Sequence, residues 1–200
     1  MRLIIATQNK NKFREIKKIF KGLSIKLVYL GQLNKAISIE EDGKSFFENA
    51  LKKAQACSLV YKDDLVVGED SGLQVPYLGN RPGVLSKRYA GKKPTDLNNN
   101  LRILKELEGL KKKDRKANFR CVIALVKNGK LIKKFEATLV GIINDRILGK
   151  NGFGYDPVFY LPQYKKTVAQ FSLAEKNKIS HRAKVFLKLK KFLASYLKNK

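Results

Sequence analysis

The order of apolar and polar positions divides the chain into short strands and amphipathic helices. Arg2 to Ala6 (RLIIA) is a brief apolar run that predicts a strand, and the polar turn Thr7 to Lys12 (TQNKNK) follows it. Phe13, Ile16 and Phe20 then fall on one helix face, and Ser24 to Leu30 predicts a second strand. Ser45 and Glu48 have capping-box spacing ahead of a helix expected to bury Phe47, Ala50, Leu51 and Ala54. Residues 66–75, VVGEDSGLQV, read as strand, turn, strand, with Glu69 and Asp70 at the turn. GNRPG (79–83) is a breaker. Thr95 or Asp96 can cap a helix with the face Leu97, Leu101, Leu104 and Leu107, and KKKDRK (111–116) predicts an exposed connection. Asn128-Gly129 between two long apolar segments is the strongest hairpin signal in the chain. A Gly-rich loop (149–162) precedes a closing helix that buries Phe186, Leu189, Leu193 and Tyr196. Mixed strands and helices with an antiparallel hairpin predict an α/β fold around a mixed sheet. The 200 residues, without repeats or linkers, predict one domain.

Composition narrows the chemistry. Cys57 and Cys121 lie far apart in apolar patterns, without a CxxC pair, and read as buried small hydrophobes. His181 is the only histidine, which disfavours a His-rich zinc site and leaves carboxylates to hold a hard cation such as Mg²⁺. The longest apolar run, CVIALV (121–126), is too short to span a bilayer, and the brief apolar start is unlike a signal peptide. Cytoplasmic location without a membrane partner is the expectation. The net charge of +26 suits a polyanionic partner: nucleic acid, an anionic membrane surface or a nucleotide. Only nine of the 43 basic residues are Arg, however, and the Lys are dispersed, so solvated faces explain the charge equally well. No basic stripe interleaved with aromatics is visible, and no stable nucleic-acid partner is expected.

Four polar clusters stand out: Thr7 to Lys12, Glu40 with Glu69-Asp70-Ser71, FGYD (153–156) and EKNKISHR (175–182). An acidic pair between two apolar segments is costly to bury unless something uses it. A strand entering a helix through Thr, Asn and Lys makes an anion site, although an ordinary capped helix start reads the same and the Walker glycines are missing. Such ends gather at one crevice in a parallel-type sheet, where they would supply cations for phosphates, carboxylates for a metal and a ring beside donors for a base.

These motifs, in order, resemble the inosine/xanthosine triphosphate pyrophosphatase family: IIATQNKNKFREIK, EEDGKSFFENALKKA, GEDSGLQVPYLGNRPGVLSKRYAG, GFGYDPVFY and AEKNKISHR. The resemblance covers nearly the whole chain. It implies an elongated mixed sheet with flanking helices, two lobes enclosing a nucleotide cleft, Mg²⁺ dependence, a homodimer and hydrolysis of ITP, dITP and XTP to monophosphate and pyrophosphate. By the same resemblance Asp70 is the catalytic acidic residue, which holds Mg²⁺ with Glu40 and helps deprotonate the attacking water, while Glu69 supports the metal indirectly and Glu41 is the weaker metal candidate. Thr7, Gln8, Asn9, Lys10, Asn11, Lys12, Ser71 and Lys176 would take the phosphates. Phe153, Gly154, Tyr155 and Asp156, with His181 and Arg182, would take the purine, Phe153 by stacking. Donors near His181 and Arg182 would read the 6-oxo group, and adenine would leave such donors unpaired at about 1–3 kcal/mol each. From the residues alone His181 reads as a cap or packing residue.

Three positions depart from the family pattern: Gln8 where Gly is usual, Glu69 where bacterial members carry Asp, and Ala183 where Gly is frequent. Two other readings are a nucleic-acid binding module, carried by charge alone, and a pyrimidine triphosphate substrate, as in the septum-inhibitor-like relatives. FGYD and SHR favour the purine.

Overall fold

The computed structural model describes residues 2–33, 37 and 39–196. Its strands are β1 (Arg2–Ala6), β2 (Lys26–Tyr29), β3 (Leu65–Val75), β4 (Arg81–Pro82), β5 (Lys116–Lys127), β6 (Lys130–Ile143), β7 (Phe159–Leu161) and β8 (Lys166–Thr167). Its α-helices are α1 (Lys10–Ile19), α2 (Phe46–Val60), α3 (Asp96–Glu106), α4 (Leu173–Ile179) and α5 (His181–Tyr196). The strands form a mixed open sheet in the order β2-β1-β3-β5-β6-β7-β8, with β4 on β3. β1 runs parallel to β2 and β3, whereas β7 runs antiparallel to β6 and β8. This is the mixed α/β architecture expected from the pattern. Among the described residues no helix is long and apolar enough to cross a membrane.

The chain divides into two compact units. Unit 1 holds residues 1–71, 121–137 and 182–200, and unit 2 holds 72–120 and 138–181. Unit 1 has apolar clusters on both faces of its strands. One joins Leu65 and Val67 to Phe13, Ile16, Phe186 and Leu189; the other joins Val66 to Ala50, Ala54 and Cys57. Unit 2 has its own core around Leu73, Ile103, Leu107, Phe119, Val158 and Phe159.

Several elements differ from the pattern-based expectation. Residues 65–75 form one continuous strand, not two strands about a turn. Gly68 permits this: a Cβ there would lie 1.8 Å from the Ala50 carbonyl oxygen, so α2 packs directly on the strand backbone. Ser45 caps α2 as expected, but the Glu48 carboxylate accepts from the Lys44 N–H (2.9 Å), and Phe46 rather than Phe47 is buried. On α3, capped by Thr95, Leu97 and Leu101 are exposed and the buried face is Asn99, Asn100, Ile103 and Leu107. Asn99 earns its interior place by accepting from the Ala90 N–H (2.7 Å) and donating to the Lys87 carbonyl (3.2 Å). Arg115, expected to be exposed, is buried because its guanidinium donates to the carbonyls of Leu107, Ile143 and Asn144 at 2.5–2.8 Å. The hairpin forms where predicted, with Asn128 and Gly129 both at positive φ (46° and 72°). The closing helix is broken at Ser180, whose extended backbone separates α4 from α5. Phe186, Leu189 and Leu193 are buried as expected, and Tyr196 is half-buried against Phe192.

Candidate functional site

Adjacent strand residues point to opposite faces, so the two neighbouring carboxylates of β3 enter different surroundings. Asp70 faces α2. Its Oδ2 accepts from Asn49 Nδ2 (3.1 Å), and its Oδ1 lies 3.3 Å from Lys53 Nζ. Asn49 and Lys53 are four residues apart and therefore share one helix face, brought onto the strand by the close approach at Gly68. Lys53 also pairs with Glu41 Oε2 (2.7 Å) and donates to the Glu69 carbonyl (3.3 Å). Burial pushes the Asp70 carboxyl above its ordinary value, and Lys53, Lys12 and Asn49 oppose this without cancelling it.

Glu69 faces α1 and α5 and is wholly buried. Lys12 Nζ lies 2.8 Å from its Oε2, Arg182 lies 3.1 Å from its Oε1, and the Cys121 thiol donates to Oε1 (3.3 Å). Arg182 also pairs with Glu15 (2.7 Å) and donates to the Ser71 hydroxyl (2.9 Å). Burial would raise the Glu69 carboxyl, but the charges of Lys12 and Arg182 outweigh it and hold it well below its ordinary range. Cys121 and Cys57 are buried thiols, as expected, and burial pushes Cys57 up to about 12.

The Thr7 to Lys12 turn is organised by its own side chains. Thr7 Oγ1 accepts from the Asn9 N–H (3.2 Å), and Asn9 Oδ1 caps α1 by accepting from the N–H groups of Asn11 (2.9 Å) and Lys12 (3.1 Å). With Lys12 engaged by Glu69, Lys10 is the exposed ammonium of this turn, next to exposed Gln8.

Unit 2 assembles a second group around Asp156. Its buried carboxylate accepts from the Phe153 N–H (2.9 Å) and pairs with Lys176 (2.5 Å). Lys176 Nζ lies 4.7 Å from the centroid of the half-buried Phe153 ring. The turn needs glycine at 152, where φ is 79° and a Cβ would lie 2.0 Å from Asp156 Oδ2. Tyr155 is buried and donates its hydroxyl to the Ser86 carbonyl (2.9 Å). His181 is buried, its ring stacked on Phe119 at 4.8 Å.

Two residues thus stand apart from the sorting made on the sequence. Lys176, grouped there with the phosphate ligands, belongs to the Phe153–Asp156 loop. Arg182, grouped there with the base, has both terminal guanidinium nitrogens committed to Glu15, Glu69 and Ser71 within unit 1. Glu41, rated below Glu40 for metal binding, shares Lys53 with Asp70, while Glu40 is exposed. Glu15, Asn49 and Lys53 were missed. Their signal was present as polar side chains at helical spacing on otherwise apolar faces.

Among the described residues no three acidic, His or Cys side chains cluster into a ready-made metal cage. The donor chemistry nevertheless fits Mg²⁺, which takes one or two carboxylates and completes its shell with water and substrate phosphates.

The Ham1 family model matches residues 3–192. The chain is 46% identical over 197 residues to the dITP/XTP pyrophosphatase of Caldanaerobacter subterraneus, covering 98% of both chains, and 43% identical to that of Clostridium perfringens, covering 98% of this chain and 99% of the relative. Its fold superposes on a HAM1 protein from Coxiella burnetii with a TM-score of 0.88 at 36% identity (98% and 99% covered). The Staphylococcus aureus Ham1 protein gives 0.87 at 37% (98% and 100% covered). A match of this length establishes that the chain belongs to the Ham1 family.

Proposed function

We propose that this chain hydrolyses non-standard purine nucleoside triphosphates (ITP, dITP and XTP) to the nucleoside monophosphate and pyrophosphate, clearing such bases from the nucleotide pool. The observation that carries the reading is Asp70: a buried carboxylate in mid-strand, aimed by Asn49 and Lys53 and raised toward the useful range of a base. The names borne by its close relatives support the substrate class.

Asp70 and Glu40 would hold Mg²⁺, and Glu41 shares Lys53 with Asp70. When bound, the ion lowers the pKa of water and neutralises phosphate charge. Asp70 accepts the proton of the attacking water as its oxygen bonds to the α-phosphorus; the α–β bridging P–O bond breaks and pyrophosphate leaves. Lys10, with Thr7, Gln8, Asn9, Asn11, Lys12 and Ser71, receives the polyphosphate, because such transfer is mostly positioning and charge neutralisation. Phe153 stacks on the purine, with Lys176, Asp156 and Tyr155 keeping its loop in shape, and His181 stands at the start of α5. Arg182 contributes by fixing Ser71 and Glu69 rather than by donating its guanidinium to a base. One domain built of two lobes, acting in the cytoplasm as a homodimer through the RPGVLSKRYAG segment (81–91) with exposed Leu85, completes the proposal. Sedimentation equilibrium showing only monomer at micromolar concentration would remove the dimer.

Chromatographic product analysis with ITP, XTP, ATP, GTP and TTP, with and without Mg²⁺, tests the reading. Monophosphate plus pyrophosphate from ITP and XTP alone, and only with metal, is the expected result. Diphosphate plus orthophosphate would place the attack at the γ-phosphorus and overturn the mechanism.

A further inference from the structure

Helix α3 makes two contacts to one residue of the Phe153–Asp156 loop. The Asp96 carboxylate, in the first turn of α3, accepts from the Gly154 N–H (2.7 Å). Asn100, four residues on and so on the same helix face, donates its Nδ2 to the Gly154 carbonyl (2.9 Å). Both backbone groups of Gly154 are therefore gripped from one helix. The grip is not reducible to Asp156, which holds the same turn from the other side through the Phe153 N–H and Lys176.

Asn100 is an unusual choice for a packing position. It is buried at 3% exposure, and donation to Gly154 orients the amide so that Oδ1 has no hydrogen-bond partner among the described residues. A buried acceptor left unpaired costs about 1–3 kcal/mol, and an apolar residue of the same shape would avoid that cost. Neighbouring Asn99, by contrast, uses both ends of its amide. An amide kept in the interior for one bond, to a left-handed glycine (φ 63°) beside the half-buried Phe153 ring, serves the loop rather than the core.

We propose that Asp96 and Asn100 are positioning residues that fix Gly154, and with it the Phe153 ring, for the purine, so that α3 sets nucleotide affinity. This rests on the reading of 153–156 as the base loop. A ring held in its stacking position before binding spares the substrate the cost of ordering the loop.

The test compares Asn100→Leu, Asp96→Ala and Asp96→Asn with the wild-type chain, by steady-state kinetics on ITP, thermal unfolding and NMR hydrogen exchange at the Gly154 amide. Asn100→Leu removes the unpaired acceptor, so its Tm should hold or rise while KM for ITP increases about tenfold and kcat changes less than about twofold. Asp96→Ala should likewise raise KM and should also lose protection of the Gly154 amide; Asp96→Asn, which retains an acceptor oxygen, should restore both. A KM unchanged in folded Asn100→Leu and Asp96→Ala, or a Gly154 amide equally protected in Asp96→Ala, would overturn the proposal. A wild-type chain that turns over no nucleotide would instead overturn the reading of the site, and the exchange data would still decide whether the clamp exists.

Discussion

Replacing Lys53 with Met isolates the electrostatic device that keeps Asp70 ionised. The substitution roughly preserves length and apolar stem but removes the ammonium that Asp70 Oδ1 meets at 3.3 Å and Glu41 at 2.7 Å. At that separation and an effective dielectric of about 20, the gross attraction between Lys53 and Asp70 is about 5 kcal/mol. Most of it offsets the desolvation of two buried groups, so breaking the pair should cost about 3–5 kcal/mol, because Asp70 is left with the Asn49 hydrogen bond and the charge of Lys12, which is itself engaged by Glu69. Burial already raises the Asp70 carboxyl, and Lys53 is the largest opposing influence, so its loss must raise that carboxyl further.

Two assays follow from the sign. The acidic limb of the kcat/KM profile, which reports the free enzyme, should move to higher pH, so that the variant loses more than about tenfold at pH 6 and less at pH 9. Stability should move the opposite way. A carboxyl that binds its proton more tightly folded than unfolded destabilises the fold at high pH and ceases to do so as pH falls through its folded-state value. Urea unfolding of the variant should therefore show the deficit at neutral pH shrinking on acidification. An acidic limb that stays where the wild type has it, with a deficit independent of pH, would refute the assignment of Lys53 as the counter-charge of Asp70.

Three further outcomes are expected. Asp70→Asn should abolish turnover of ITP while leaving circular dichroism and Tm close to wild type, since Asn49 and Lys53 retain a hydrogen-bonding partner. Gly68→Ala should unfold the protein or cost several kcal/mol in denaturant titration, because the new methyl would meet the Ala50 carbonyl at 1.8 Å and neither backbone can retreat. Glu69→Gln should cost about 3–5 kcal/mol at pH 7 by stranding Lys12 and leaving Glu15 as the remaining counter-charge of Arg182. Because Glu69 ionises far more readily folded than unfolded, its stabilisation is complete above the ordinary value of 4.5 and fades as pH falls through the lower folded value. The variant should accordingly lose part of the wild type's acid sensitivity, measurable by unfolding at pH 3–7.

Strands β1 and β2, the hairpin and both polar clusters of unit 1 were legible because they depend on local signals: apolar runs, Asn-Gly, and carboxylates placed where burial is costly. The buried face of α3 was not, because hydrophobicity alone selected Leu97 and Leu101, while the fold buries Asn99 and Asn100 through hydrogen bonds that no sequence period announces. Long-range partners were equally hidden. Arg182 reads as a base donor beside His181, yet Glu15 and Glu69, far away in sequence, claim its guanidinium.

The opposed roles of Glu69 and Asp70 follow from a single misjudged element. Taken as a turn, 69–71 gives the two carboxylates similar surroundings, and only the family resemblance assigns the metal to Asp70 and an indirect role to Glu69. Formed as continuous strand, the same residues must alternate, and alternation sends Glu69 to Lys12 and Arg182 and Asp70 to Asn49 and Lys53. One carboxyl is consequently held far below its ordinary value and the other above it, by environments on either side of one peptide plane. Gly68 supplies the Asp70 side of this arrangement, since its bare backbone lets α2 reach the strand and bring Asn49 and Lys53 to Asp70. A change that loosened α2 from Asp70 should thus lower activity while leaving the Glu69 network intact. Asn49→Ala is such a change: it removes the bond to Asp70 (3.1 Å) and the acceptor of the Gly43 N–H (2.8 Å), so kcat at pH 7 should fall and each lost bond should cost about 1–3 kcal/mol in urea unfolding.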